Sequence, residues 1–428
     1  MSAEMSGEQE RRRSGAVQAL VVPNDPAFVD LRVGGISVLL RAVCALARVA
    51  DRVTVLRTPV CTAIATDELE RELRLREALA PVQWADAPGE VADGAALVLL
   101  TAPVVLEPAT VATLIAQARA ERRTLGCRRA GDLQTPLWCA PSERARDLLD
   151  RVREAVDVRG LIVSGAANAD PGATLLQRVS DDVSRRRAEQ AVLERARKQS
   201  DSVVARFFDR RISAALTRRL LDTPTTPNRV TIGNTLVGLA GAALLLAPAH
   251  SLHLAGAGLL VLTVILDGCD GEVARVKFLE SRAGRLLDFF TDNVVNATAI
   301  LATGLGHYLR GGHAFYYYAS WATFVLALAS VAPVYFLFFR EHKAASGAAV
   351  AAHGFDPYRA AEGMASRDFM YLILLLTLVE RAHWFTPIAL VGLSVFFLVV
   401  STLAVRRLLR SARLLAMPPL LGPAAERK

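Results

Sequence analysis

Cysteine is scarce in this sequence of 428 residues, and its five cysteines form no CxxC pair and no Cys/His cluster with zinc spacing. The pattern excludes a disulfide framework and a structural zinc. The N-terminal segment MSAEMSGEQERRRSG is followed only by the short apolar run ALVV, which is too brief for the core of a signal peptide. We therefore expect the start of the chain to stay in the cytoplasm.

Apolar residues are abundant but unevenly placed. They make up 52% of the chain, the mean hydropathy is +0.31, and the formal net charge is nevertheless +8. This composition excludes disorder as the main state. Residues 1–220 have the composition of an ordinary charged chain, whereas long apolar runs begin after Arg229. The length and this division predict two or three domains, of which one lies in a membrane.

The first half alternates short β-like runs with helical patterns. The expected strands are Ala19–Val22, Val53–Leu56 and Ala96–Leu100, and the expected helices are Ile36–Val49, Asp67–Leu79, Pro108–Arg119 and Ser142–Val156. This order is typical of βαβ units around a parallel sheet. It predicts a soluble α/β, Rossmann-like domain.

The composition changes along the chain predict six segments. They are a disordered tail (1–16), the α/β domain (17–165), a charged linker helix (166–199), an amphipathic juxtamembrane helix (200–228), an all-α membrane domain (229–410) and a C-terminal tail (411–428). In the amphipathic segment apolar residues recur at helical spacing against an arginine-rich face. A helix in the lipid headgroup region fits this pattern, and an ordinary amphipathic helix packed on protein is the alternative.

Six apolar runs in the second half predict six transmembrane helices, judged against the roughly 20 residues that cross a bilayer. They are Val230–Pro248, Leu252–Leu266, Leu286–Leu309, Phe315–Phe339, Asp368–Val379 extended to Ala382, and Phe385–Val405. Basic residues flank one side of these runs, while the opposite loops hold only Arg310 and Arg381. The positive-inside rule then places both termini on the cytoplasmic side of the inner membrane. The excess of basic residues is explained by the orientation of the spans and by attraction to anionic lipid headgroups. We therefore expect no nucleic-acid partner.

Four carboxylates lie in or beside these apolar runs: Asp267, Asp270, Asp288 and Asp292. Each charge at mid-membrane costs about 2.5–3.5 kcal/mol, so they need compensation. Asp267 and Asp270 are spaced i,i+3, and Asp288 and Asp292 are spaced i,i+4, so each pair lies on one helix face. Two such faces offer oxygen ligands only, which favours Mg²⁺ or Mn²⁺ over zinc. An alternative is that the aspartates only cap helices and the nearby glycines only allow close helix packing. It does not explain why four acids recur at these spacings.

The string DxxDGxxARx8GxxxDxxxD over Asp267–Asp292 resembles the signature of the CDP-alcohol phosphotransferase family, with every fixed position filled. The preceding Pro227-Asn228-Arg-Val-Thr231 is similar to a P-N-x-x-T segment of that family, and the likeness covers about residues 200–410. The resemblance implies release of CMP from a CDP-alcohol at a two-metal site with Mg²⁺ or Mn²⁺. It also implies a homodimer.

The same resemblance implies roles for individual residues. Asp267, Asp270, Asp288 and Asp292 would bind the metals, and Asp292 would also act as the general base on the acceptor hydroxyl. The CDP pocket would be formed by Asn228, Thr231, Gly271, Ala274, Arg275 and Gly284.

The acceptor is less determined by the sequence. Basic residues expected on the cytoplasmic face, which would suit an acceptor that bears a phosphate, are Arg282, Arg340, Lys343, Arg359 and Arg367. The positive-inside bias alone would also place them there. A polyol phosphate, inositol phosphate among them, is one acceptor, and CDP-diacylglycerol is one possible donor.

The soluble half resembles sugar-phosphate nucleotidyltransferases in the run LRVGGISVLLRAVCALARVADRVTVL and in ALVLLTAPVVLEP. Where that fold needs a glycine-rich phosphate loop with basic residues, the chain has VVPNDPAFVD. Where it needs a metal-binding Asp, the chain has Thr101-Ala102-Pro103. These departures predict a degenerate domain. The whole layout resembles fused inositol-1-phosphate cytidylyltransferase and di-myo-inositol-phosphate-phosphate synthase proteins.

A divalent-cation transporter or channel is the alternative function, because it too would bury acids in a helix bundle. A transport path places acids near mid-bilayer on several helices and often has internal repeats. Here the acids cluster at one predicted membrane face, and spans 1–3 do not repeat in spans 4–6.

Overall fold

The computed structural model describes residues 16–61, 63–76, 79–128, 135–155, 166–170, 174–196, 209–339 and 369–416. The chain divides into two compact units by its internal contacts. The first unit gathers the described residues before Ser200 with Ile212–Val230 and Gly268–Arg285. The second holds residues 209–211, Thr231–Asp267 and the described residues from Leu286 onward. The units therefore do not follow the linear boundaries that composition predicts.

Eleven strands occur in the described part of the first unit. They are β1 (Val17–Val21), β2 (Arg32–Val33), β3 (Ile36–Ser37), β4 (Arg52–Leu56), β5 (Val82–Ala85), β6 (Ala96–Leu100), β7 (Val104–Leu106), β8 (Leu125–Cys127), β9 (Leu137–Ala140), β10 (Ala167–Ala169) and β11 (Leu176–Arg178). Seven of them form one sheet in the order β10-β8-β9-β6-β1-β4-β5. The pairs β2/β3 and β7/β11 form two small antiparallel sheets.

The helices of the α/β fold cover both faces of the large sheet. They are α1 (Ala27–Asp30), α2 (Val38–Ala47), α3 (Ala63–Arg74), α4 (Pro108–Glu121), α5 (Ala145–Glu154) and α6 (Asp182–Ala196). In β6, Val98 and Leu100 lie in one hydrophobic cluster with α2, while Leu97 and Leu99 lie in another with α5. A strand that is covered on both faces needs an apolar residue at every position, which explains the sequence ALVLL.

The α/β prediction is confirmed, with one correction to the expected parallel sheet. Strand β9 runs antiparallel to both β6 and β8, whereas β1 pairs parallel with β4 and β6. The connection from β8 to β9 is shorter than the dozen or more residues that a parallel crossover needs, so β9 can only return antiparallel. The three predicted strands and four predicted helices are present; Ala96–Leu100 has the predicted bounds, and the others differ at one or both ends.

The predicted linker helix over 166–199 is wrong in its first part. Strands β10 and β11 occupy that part, and helix α6 begins only at Asp182. Leu176 is 1% exposed, because β11 pairs with β7 and adds its apolar residue to the core. Only the second part has the charged helical character that the composition indicates.

The amphipathic segment contains helix α7 (Asp209–Leu221). Leu221 at its end is buried with Leu193, Val273 and Val276. The end of α7 is therefore packed on protein, as the alternative interpretation expects. Residues 200–208 of the predicted helix lie outside the described residues, as do both predicted tails apart from Ala16 and 411–416.

Six helices follow α7 in the described residues. They are α8 (Pro227–Leu245), α9 (His250–Lys277), α10 (Arg282–Leu309), α11 (Phe315–Val334), α12 (Phe369–Leu378) and α13 (Phe385–Ala416). Three stretches are long and apolar enough to cross a membrane: His250–Lys277, Phe315–Leu337 and Ala382–Leu409. Polar residues such as Asp288 and Asp292 lower the hydropathy of α10. Helices stand at all six predicted positions, and the number of six spans stays a prediction.

Small residues let the helices of the second unit approach closely. A Cβ on Gly304 of α10 would overlap the hydroxyl groups of Ser320 and Thr386, and one on Gly306 would overlap the backbone of Leu245. These glycines are used for packing within the chain. Ala319 is likewise buried.

Replacing Gly304 with Ala tests this packing. We expect Gly304→Ala to destabilise the second unit by about 1–3 kcal/mol, because the added methyl group has no space. Gly258→Ala is the matched control, since Gly258 is also helical and has nothing within 4 Å of the added Cβ. That variant should be neutral or gain about 0.5–1 kcal/mol from helix propensity. Thermal unfolding in detergent measures both, and equal melting temperatures would contradict the packing.

Candidate active site

Three of the four predicted metal ligands come together at the start of α10 and on α9. Carboxylate oxygens of Asp267, Asp288 and Asp292 all lie within 4.8 Å of one another. All three side chains belong to the second unit and are half-buried. Asp288 and Asp292 share one face of α10 because they are one turn apart. The grouping that the i,i+4 spacing predicts is therefore present.

The chemistry of this donor set fits a hard divalent cation. The three ligands are all carboxylates, they carry like charges at close range, and they are partly withdrawn from water. Such a group is unfavourable alone and is stabilised by a cation with a preference for oxygen, such as Mg²⁺ or Mn²⁺. The residues present fit the predicted metal.

The fourth predicted ligand, Asp270, lies one turn further along α9. Its residue is 7% exposed, and its Oδ1 accepts a hydrogen bond of 2.6 Å from the backbone N–H of Gly271. Asp270 does not belong to the cluster of three within the described residues. Its ligand role stays a prediction.

The predicted CDP-binding residues of α9 lie close together. A Cβ on Gly271 would be 3.1 Å from Nη1 of Arg275, so the absence of a side chain leaves room for that guanidinium. The Nε of Arg275 donates to the carbonyl of Ala196, and Ala274 is half-buried. The guanidinium of Arg275 is therefore bound to the end of α6, in space that the missing side chain of Gly271 leaves open.

Two other predicted CDP residues are neighbours although they are far apart in the sequence. A Cβ on Gly284 would be 3.1 Å from Oδ1 of Asn228 and 3.0 Å from Oγ of Ser281. A larger residue at 284 would push against the Asn228 amide. Thr231, one turn along α8 from Asn228, is 5% exposed. The fold thus brings Asn228 and Gly284 together, as a shared pocket requires.

Of the five predicted acceptor residues, the structure describes only Arg282. Arg282 is the first residue of α10 and is exposed. Arg340, Lys343, Arg359 and Arg367 lie outside the described residues. The acceptor site therefore stays a prediction.

One carboxylate inside the signature was not singled out by the sequence. Glu272 is 7% exposed, and its Oε2 accepts a hydrogen bond of 2.8 Å from Thr217 of α7. This bond joins α7 to the end of α9. Glu272 follows Asp270 by two residues and therefore lies on another side of α9 than Asp267 and Asp270, which are spaced i,i+3.

The α/β fold has a compact turn where a nucleotidyltransferase needs its phosphate loop. After β1, Oδ1 of Asp25 accepts a hydrogen bond of 2.9 Å from the N–H of Ala27 and so occupies the start of α1 with an acid. After β6, Thr101 is 1% exposed, and its backbone N–H donates to Pro136. Neither position offers the basic loop or the exposed carboxylate that nucleotidyl transfer needs.

The comparisons with known proteins agree with this site. Residues 224–402 match the family model of the CDP-alcohol phosphatidyltransferases. Bifunctional IPC transferase and DIPP synthase of Rubrobacter xylanophilus is 41% identical over 121 residues, which are 28% of this chain and 27% of that protein. The protein of the same name from Archaeoglobus fulgidus is 37% identical over 112 residues, 26% of this chain and 22% of the relative.

A third relative of the same name, from Thermococcus kodakarensis, is 38% identical over 104 residues, 24% of this chain and 23% of the relative. The matches thus span about a quarter of the length of these curated relatives. The family match contains all three clustered carboxylates and the predicted CDP residues. Residues 224–402 of this chain are therefore similar to a CDP-alcohol phosphatidyltransferase domain.

Proposed function

We propose that this chain is an integral-membrane CDP-alcohol phosphotransferase. It moves a substituted phosphate from a CDP-alcohol to the hydroxyl of an acceptor and releases CMP. The observation that carries this proposal is the cluster of Asp267, Asp288 and Asp292 within 4.8 Å, at the signature positions of a CDP-alcohol phosphatidyltransferase domain.

Asp267, Asp288 and Asp292 are the residues that would hold Mg²⁺ or Mn²⁺, and the resemblance adds Asp270. When bound, the metal offsets the negative charge of the pyrophosphate and of the departing CMP. The three carboxylates fix its place because two of them are held one turn apart on α10.

The chain's own residues perform the proton transfer and the orientation. The Asp292 carboxylate takes the proton of the acceptor hydroxyl, whose oxygen then attacks the phosphorus that bears the donor alcohol. The bond from this phosphorus to the oxygen of CMP breaks, and CMP leaves with the electron pair. Asn228, Gly271, Arg275 and Gly284 hold the CDP part so that the two oxygens lie on opposite sides of the phosphorus.

The acceptor is a polyol phosphate in this proposal, with inositol phosphate as the leading example. The resemblance of the whole chain to fused inositol-phosphate enzymes supports this choice, as do relatives named IPC transferase and DIPP synthase. Arg282, at the first turn of α10, is suited to the acceptor phosphate. The donor is CDP-inositol or CDP-diacylglycerol.

The α/β fold does not itself catalyse nucleotidyl transfer in this proposal, so another enzyme supplies the CDP-alcohol. The remaining parts of the proposal are six spans in the inner membrane, contact with membrane lipid, a homodimer, and a cytoplasmic location of both termini and the active site. The apolar residues Val325, Leu328, Val391 and Leu398 are each at least 41% exposed, which suits contact with lipid.

The general-base role predicts a separation of binding from turnover. We expect Asp292→Asn to lower CMP release by at least about 10²-fold, because proton transfer by a positioned base contributes about 10²–10⁴-fold. Binding of the CDP-alcohol should be retained. Purified protein in detergent with Mg²⁺, a CDP-alcohol and inositol phosphate provides the assay, and near-normal turnover would remove this role.

The metal site predicts that the clustered carboxylates bind Mn²⁺ without substrate. We expect Asp267→Asn and Asp288→Asn to weaken Mn²⁺ binding, measured from the free Mn²⁺ signal by electron paramagnetic resonance, because each loses a charged ligand. Glu380→Gln is the matched control, since Glu380 is an exposed acid of the same unit outside the cluster. Cation flux into vesicles without CMP release would instead favour the transport function.

The proposed inactivity of the α/β fold is tested with CTP. The chain incubated with CTP, Mg²⁺ and inositol phosphate should release no pyrophosphate, because the loop after β1 lacks basic residues and β6 ends in Thr101. An active nucleotidyltransferase of this fold is the positive control. Release of pyrophosphate by the chain would contradict a degenerate domain.

A further inference from the structure

Each of the last four carbonyl groups of α9 accepts a hydrogen bond. A helix leaves four such acceptors without partners inside the helix. The N–H of Leu279 donates to Ala274 at 2.8 Å and that of Phe278 donates to Arg275 at 3.4 Å, which is the Schellman pattern of a helix end. The carbonyls of Val276 and Lys277 remain, and the α/β fold supplies their donors.

Two buried arginines of the α/β fold donate to these carbonyls. Nη2 of Arg41, on α2, lies 2.8 Å from the Val276 oxygen and 2.7 Å from the Val33 oxygen of β2. Nε of Arg76, just after α3, lies 3.1 Å from the Lys277 oxygen. Both arginines and both acceptors belong to the first unit. The C-terminus of α9 is thus capped by side chains from far away in the sequence.

Phe278, directly after α9, is fixed by the same part of the fold. Its φ of 57° is left-handed, a conformation that a residue with a bulky side chain rarely adopts. The guanidinium of Arg48 lies 4.7 Å from the centre of its ring, and that of Arg41 lies 5.6 Å from it. The ring is 7% exposed and belongs to the hydrophobic cluster of the large sheet. Packing therefore compensates for the unfavourable backbone.

Further contacts hold the four residues that join α9 to α10. Nη2 of Arg48 lies 2.7 Å from Oε2 of Glu280 in this connection. Nζ of Lys277 lies 2.7 Å from the oxygen of Thr223, which follows α7. Hydrogen bonds and one ion pair therefore join the end of α9 and this connection to residues in or just after α2, α3 and α7.

The burial of Arg41 indicates that its place is specific. The residue is 2% exposed, and burial lowers the pKa of its guanidinium to about 10, so the group remains charged at neutral pH. Within the described residues, its Nε and the Nη2 of Arg76 are buried without a hydrogen-bond partner. A buried charge is costly unless it has acceptors. In Arg41 these acceptors are the two carbonyls that link the β2 strand to α9.

We propose that Arg41 and Arg76 are positioning residues for the metal site, and that the α/β fold acts by holding the turn between α9 and α10. The inference rests on the proposed function of the carboxylate cluster. Helix α9 carries Asp267, and α10 carries Asp288 and Asp292, so the four-residue connection sets how the ligands of the two helices meet. A nucleotidyltransferase-like fold without its own chemistry thus supports the chemistry of another domain.

The test measures three properties of the full chain in detergent: Mn²⁺ affinity, CMP release, and hydrogen exchange of peptides from 270–285. Arg41→Met and Arg76→Met keep an apolar stem but lose the donors. We expect each to raise the dissociation constant for Mn²⁺ or to lower turnover by about 10–100-fold, as loss of a group that orients a metal ligand does. Exchange should rise at residues 276–281 and stay slow in β1 and β6. Arg41→Lys should recover part of the Mn²⁺ affinity.

Arg57→Met is the matched control, because Arg57 lies in the same fold but forms an exposed ion pair with Asp86. Its Mn²⁺ affinity, turnover and hydrogen exchange should remain within twofold of those of the original chain. An exposed ion pair contributes only about 0–1 kcal/mol to stability, so its loss should leave the fold intact. An equal loss in this variant would overturn the inference, because it would make the effect a general one of the fold.

A second pair of variants disturbs the packing beside this contact, at Leu221 and the Lys277 side chain, without removing an arginine. Gly35 and Gly94 both have φ of 79°, but a Cβ on Gly35 would overlap the Leu221 carbonyl, whereas one on Gly94 meets nothing within 4 Å. Gly35→Ala should reproduce the faster exchange at 276–281 and the weaker Mn²⁺ binding. Gly94→Ala has the same backbone strain and should not.

The outcomes separate the inference from the proposed function. An original chain that releases no CMP contradicts the function, while hydrogen exchange still decides whether the arginines hold the connection. Unchanged exchange and Mn²⁺ affinity in both arginine variants would overturn the inference and leave the function intact. Loss of protection throughout β1 and β6 would also overturn it, because the arginines would then be needed for folding rather than for positioning.

Discussion

Mutual repulsion among three carboxylates is the constraint on which this structure depends. Asp267, Asp288 and Asp292 gather their oxygens within 4.8 Å in a partly buried place, where like charges interact strongly. The backbone must hold them there against this repulsion, which a bound divalent cation would offset. Two helices joined by only four residues provide this stiffness.

The α/β fold gives that short connection its support. Its hairpin β2–β3 places Gly34 and Gly35 against Val276 and Leu221, where any side chain would collide. A glycine pair that resembles part of a nucleotidyltransferase therefore serves here as a close-packed turn. The buried Arg41 on α2 and Arg76 after α3 reach the end of α9 from the same fold.

The sequence predicts the features that depend on local spacing. The i,i+4 aspartates, the uniformly apolar β6 and the positions of the membrane helices all follow from periodicity. The direction of β9 depends on connection length, and β10 and β11 are too short to give a pattern. Arg41 and Arg76 could not be found, because their acceptors lie 235 and 201 residues away in the chain. The local sequence around a buried arginine does not indicate which distant carbonyl group it contacts.

The position of Phe278 in the hydrophobic cluster of the sheet has a consequence for biosynthesis. The strands and helices up to α6 leave the ribosome first, yet their core lacks this ring until α7, α8 and α9 have been made. Domains generally fold as units during synthesis, but this one completes its core only after the residues of α9 and Phe278 have been made. A chain in which the end of α9 does not reach this position would keep an incompletely packed α/β fold.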